Sequence, residues 1–122
     1  MSTVPVITDQ RVLIADAITA ADLPGVTAYI QQPATVSAGD CWPVWQSDEY
    51  PAMYVITSTY AVYVALPADF PTSLEAMGGL RTTVRQALYR VPAAAVTRAE
   101  PVFLTVADQG TVPALRLTLV IG

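Results

Sequence analysis

The stretch Met53 to Leu66, MYVITSTYAVYVAL, is where the fold is decided. It gathers Val55, Ile56, Val62 and Val64 with Tyr54, Tyr60 and Tyr63, the β-branched and aromatic types that fit a pleated surface. Alternation puts Tyr54, Ile56, Ser58, Tyr60, Val62, Val64 and Leu66 on one face, and Val55, Thr57, Thr59, Ala61, Tyr63 and Ala65 on the other. Both faces are semi-apolar. A long strand covered on two sides is therefore expected, by helices on one face and by another subunit on the other.

Working outward, Pro67 to Pro71 interrupts the strand, and Thr72-Ser-Leu-Glu75 has the spacing of a capping box. Leu74, Met77, Leu80, Val84, Leu88 and Val91 then recur at helical spacing, with Arg81, Arg85 and Arg90 mainly on the polar side and Pro92 as the stop. Gly78-Gly79 lies inside this helix at a cost of up to about 1 kcal/mol per glycine relative to alanine, which points to a close approach at that place. Upstream, Thr8 and Asp9 can start a first helix. It runs to Ala21, packs Leu13, Ala17, Ile14 and Ile18 on a sheet, and is ended by Asp22-Leu-Pro-Gly25. Residues 1–7 read as an extended arm, Val26 to Gln31 as a short strand, and residues 33–51, with Pro33, Gly39, Pro43 and Pro51, as a long aromatic loop or a loosely formed hairpin.

Beyond the second helix, residues 93–99 read as a connector, Val102 to Val106 as a strand and Asp108-Gln-Gly110 as a turn. Ala114 to Ile121 follows as a strand carrying Leu115, Leu117, Leu119 and Ile121 on one face. The expected fold is a single α+β domain over residues 1–122: a mainly antiparallel sheet, two helices packed on one face, and a terminal β-hairpin.

The composition narrows the function. The chain of 122 residues has no histidine or lysine; its cations are Arg11, Arg81, Arg85, Arg90, Arg98 and Arg116. Without histidine there is no Ser-His-Asp triad, imidazole metal ligand or imidazole pH switch. Cys41, the one cysteine, makes neither an internal disulfide nor a multi-cysteine zinc site. A net charge of −4 with scattered arginines argues against duplex binding. No apolar run approaches the roughly 20 residues of a membrane span, and the basic-then-apolar layout of a signal peptide is missing, so a cytosolic chain without a membrane partner is expected. Charged residues are only 13% of the chain against about 25% in an ordinary soluble domain, so part of its surface is expected to face other protein.

Chemistry-bearing motifs are scarce. Asp48 and Glu49 are adjacent, point to opposite sides of an extended segment and cannot share one substrate as a glycosidase pair would. Cys41 has an acidic neighbour in Asp40 and no general base. No phosphate-binding glycine loop or nucleophile elbow occurs. Neither catalysis nor a cofactor or metal is expected. The aromatic segment carries more information: Trp42, Trp45, Tyr50 and Tyr54, interleaved with Pro43, Val44 and Pro51, put large contact area among few charges, as interface cores do, although both tryptophans could equally cap the domain's own core. Arg81 and Arg85 share a helix face and are candidates for acidic partners, with a solvated face as the alternative.

The order of elements, with Asp48-Glu49-Tyr50-Pro51-Ala52, the strand end Tyr63-Val-Ala-Leu-Pro67 and the helix end Arg90-Val-Pro92, resembles the tail terminator proteins of long-tailed bacteriophages. The resemblance implies a virion protein, assembled in the host cytoplasm, that forms a hexameric ring on the tail tube. Such a ring stops tube growth and offers the surface that joins the tail to the head-tail connector. It implies as partners further copies of the chain, the tube protein and the connector, with DNA passing through the bore without specific binding. Asp48, Glu49, Asp69 and Asp108 are the candidates for lining that bore, where acids avoid tight phosphate binding. A head-closure or tube protein of the same virion, or a monomeric α+β binding module, are the alternative readings.

Overall fold

The computed structural model describes residues 7–67 and 70–122. The elements in chain order are α1 (Ile7–Ala21), β1 (Thr27–Ala28), β2 (Asp40–Ala52), β3 (Val55–Ala65), α2 (Phe70–Leu88), β4 (Ala94–Val106) and β5 (Gly110–Ile121). The five strands form one sheet in the order β1-β2-β3-β5-β4, antiparallel except for the short parallel pair β1–β2. This is the expected α+β architecture, with β4 and β5 as the terminal hairpin.

The long strand behaves as its alternation requires. Tyr60, Val62, Val64 and Leu66 pack into the main core with Leu115, Leu117 and Leu119 of β5, Ile14, Ala17 and Ile18 of α1, and Val84, Ala87 and Leu88 of α2. Both helices therefore cover the same sheet face. Each such fully buried Leu, Ile or Val stabilises the fold by roughly 1.5–3 kcal/mol. Two residues of the expected helix stripes lie outside this core: Leu13 and Leu74 are about half exposed. The helix α2 is already under way at Phe70, so Thr72 is not its cap, and Val91 is buried just beyond its end.

On the other sheet face the chain covers itself at one end. Val36, Trp42, Ala65 and Val106 form a second cluster, edged by Tyr63, Leu104 and Val112. Gln109 clasps the preceding loop there: the Val36 N–H donates to its Oε1 at 2.7 Å and its Nε2 donates to the Val36 carbonyl at 2.8 Å. The cover expected from another subunit is, over this half of the sheet, supplied by residues of the same chain.

The largest correction concerns residues 33–51. Instead of a long loop or a loose hairpin within these residues, Asp40 onward is a thirteen-residue strand that pairs antiparallel with β3. Its prolines are tolerated because β1 covers only Asp40 and Cys41, which leaves the outer edge of the remainder without a strand among the described residues. Gln46 is the extra residue of a bulge between Trp45 and Ser47. The strand expected at 26–31 shrinks to Thr27–Ala28, and the connector expected at 93–99 belongs to β4, which pairs with β5 from Ala94 onward. Of the expected arm, Ile7 already belongs to α1, and residues 1–6 lie outside the described residues.

One glycine holds the loop before β2 in place. Gly39 has a φ of 91°, donates its N–H to the Ala65 carbonyl at 2.8 Å and accepts from Thr27 at 3.0 Å. A Cβ there would overlap the Gly25 carbonyl oxygen. Gly39→Ala should therefore lower the unfolding free energy by at least about 2 kcal/mol. Gly78→Ala, where a Cβ meets nothing within 4 Å, should instead raise it by up to about 1 kcal/mol. Urea denaturation of both variants checks the pair of signs.

Candidate protein-interaction surface

Pairing of β3 with β5 ends at Ser58↔Ile121, whereas β3 and β2 stay paired out to Ala52↔Val55. The last three residues of this ribbon on β3 thus run past the sheet by roughly 10 Å, before the turn at Met53-Tyr54. Tyr54 turns at a φ of 72°, a conformation that a bulky side chain adopts only under strain. The ribbon exposes its apolar side chains: Tyr50 is 70% exposed, Met53 78% and Tyr54 96%, with Val55 and Ile56 about half exposed. Contiguous apolar exposure of this kind makes the ribbon a candidate contact surface.

A polar latch sits at the base of the ribbon. The Trp45 indole Nε1 donates to Asp48 Oδ1 at 2.9 Å. This bond, followed by one from the Ser58 hydroxyl, holds the Asp48 carboxyl below its ordinary range. Nearby, the Tyr60 hydroxyl donates to Gln10 Oε1 at 2.5 Å and ties α1 to the sheet. Burial, then the charge of Asp48, pushes the Tyr60 phenol up to about 12. Cys41 is fully buried and its thiol is likewise pushed up to about 12 by burial and then by Asp40. A buried thiol held protonated in this way is a poor nucleophile at neutral pH.

The residues singled out from the sequence are only partly brought together. Trp42 is 1% exposed and packs on Tyr63 at 5.9 Å between ring centroids, so it belongs to the core and not to an interface. Val44 lies on the same face as Trp42, opposite Ala61, and is partly exposed. Trp45 pairs with Tyr60 on the helix face and is 41% exposed; Tyr50 stands out on the ribbon. Arg81 and Arg85 are exposed on α2, Arg85 lying 5.8 Å from the Tyr89 ring centroid. Of the acids, Asp48 and Glu49 are on the ribbon while Asp108 is in the β4–β5 turn at the opposite end of the sheet. Asp69 lies outside the described residues.

Met53, Val55 and Ile56, which with Tyr54 form the most exposed apolar run, escaped sequence reasoning as a surface. The turn carries none of the Gly, Asn or Asp that normally announces a two-residue hairpin, so these residues read as strand interior. The open sheet face also carries a row across four strands, Trp42, Tyr63, Arg116 and Glu100. Arg116 lies 5.9 Å from the Tyr63 ring centroid and donates from Nη2 to the bulge residue Gln46 at 3.2 Å.

Among the described residues no cluster of three His, Cys, Asp or Glu side chains could hold a metal, and no helix is long and apolar enough to cross a membrane. Compared with protein-family models and with curated proteins, the chain matches none.

The latch gives a pH signature. Because folding lowers the Asp48 pKa, its contribution is present above the ordinary value of 3.8 and is lost as pH falls through the lower folded value. The Trp45 indole N–H resonance should follow this titration with a midpoint below 3.8. Asp48→Asn should abolish that titration.

Proposed function

We propose that this chain is a virion structural protein of the tail-terminator kind. Copies form a closed ring that caps the phage tail tube, ends its polymerisation and provides the surface for head-tail joining. The observation that carries this reading is the projecting ribbon. A strained, aromatic tip exposed to water is unfavourable for a monomer and becomes useful when another protein covers it. The α+β fold with both helices on one sheet face supports the reading, as does a charge-poor surface around a chain of net charge −4.

The acids suit the same role. Asp48 and Glu49 near one end of the sheet and Asp108 at the other put negative charge at both extremities, which keeps a bore free of the cation clusters that would trap passing DNA. The work described needs shape and contact and no proton transfer, so the absence of histidine costs it nothing.

Purified protein mixed with tail tubes and viewed by negative-stain microscopy should appear as a single ring at one end of each tube, and tubes so capped should stop lengthening when free tube protein is added. Decoration along the whole tube, or no binding to tubes at all, overturns the assignment in favour of a tube or head-closure component.

A further inference from the structure

The ribbon has a counterpart on the same molecule. A furrow runs between α2 and the segment that follows α1. It has a volume of about 290 Å³ and lies among Pro24, Val26, Pro67, Ala76 and Leu80. A separate depression of about 220 Å³ lies among Leu23, Thr83 and Arg90. A cavity of roughly 150 Å³ already accommodates a benzene ring, so the furrow has room for an aromatic side chain. Gly79 stands between Ala76 and Thr83 at helical spacing, and a Cβ added there meets nothing within 4 Å. Among the described residues nothing packs against this position, although the glycine weakens α2.

Place and charge favour a second copy as the occupant. The furrow borders Ala65 and Pro67 at one end of β3, and the ribbon begins at Val55 at the other. The ten steps of strand from Val55 to Ala65 span roughly 33 Å, so a subunit cannot reach its own furrow with its tip. Residues 47–58 carry Asp48 and Glu49 and no cation, whereas residues 75–91 of the α2 region carry Arg81, Arg85 and Arg90 against the single acid Glu75. The two patches are thus unlike in shape and opposite in net charge, and the furrow bordered by Ala65 and Pro67 lies at the far end of the sheet, although Arg90 stands nearer the ribbon, four residues before Ala94, which pairs with Ile121 opposite Ser58. Such a contact is heterologous, and it closes into a ring or runs on as a filament according to its rotation angle.

We infer that the Met53-Tyr54 tip of one copy seats in the furrow beside Gly79 of the next, and that this contact links neighbouring subunits. The inference deepens the ring reading and rests on it only for closure; the contact itself follows from the two patches. Burial of Tyr54 and Met53 would remove from water the most exposed apolar side chains of the ribbon, and the glycine lets the backbone of the ribbon approach α2.

Cysteine cross-linking tests it, since Cys41 is buried and does not compete. Tyr54→Cys and Gly79→Cys variants, mixed at high concentration and oxidised, should give a disulfide-linked dimer that neither variant forms alone. Tyr54→Gly, which relieves the positive φ, should keep or raise the unfolding midpoint while abolishing the oligomer by light scattering. Dimers from a single variant would reveal a symmetric contact and overturn the inference. So would rings that persist in Tyr54→Gly without cross-linking of the mixture, an outcome that leaves the ring reading standing. A wild-type chain that stays monomeric at high concentration and on tail tubes overturns both.

Discussion

Hydrogen bonding of β3 on both edges is the constraint on which the rest of the molecule depends. From Ser58 to Val64 this strand is paired with β2 on one side and β5 on the other, so its register sets theirs. A shift of one residue would send Tyr60, Val62 and Val64 away from the helices and bring Ala61, Tyr63 and Ala65 against them. The helices are then placed by the apolar surface that this register creates, Ile14 and Ile18 from α1 and Val84 and Leu88 from α2. The second cluster, around Trp42 and Val36, is placed by the same register acting through the opposite face.

Unequal strand lengths around this centre make the molecule asymmetric. Because β5 stops opposite Ser58, the partners β2 and β3 continue alone and expose both ribbon faces. At the other end β4 and β5 extend past Ala65 instead, but that end is held by Gln109 and the loop carrying Val36. One extension is partly covered within the subunit, although Phe103 stays 76% exposed on it, while the other displays Tyr50, Met53 and Tyr54 to solvent. The contrast gives physical content to the proposed assembly role, since the ribbon gathers several exposed apolar side chains where the β4–β5 extension shows Phe103.

How much was legible follows the kind of signal each segment carries. The alternation of β3 and of Leu115, Leu117 and Leu119 encodes a buried face directly, and the helical spacing of Ile14, Ile18, Val84 and Leu88 does the same. Residues 40–52 misled because Pro43 and Pro51 are ordinarily loop residues, and only an edge position makes them compatible with a strand. Trp42 and Trp45 look alike in the sequence. Their odd spacing sends one into the core against Tyr63 and the other toward the helix face, where Asp48 holds it half-exposed.

The sequence by itself determined the α+β class, the central strand and the absence of histidine- or lysine-based chemistry, because alternation, helical spacing and composition are local properties of the chain. Tertiary structure alone decided that Met53-Tyr54 is a projecting turn and that the furrow beside Gly79 lies at the far end of the sheet from it. Those facts depend on where neighbouring strands stop and on which segments pack together across long stretches of chain. No local pattern reports the length of a partner strand.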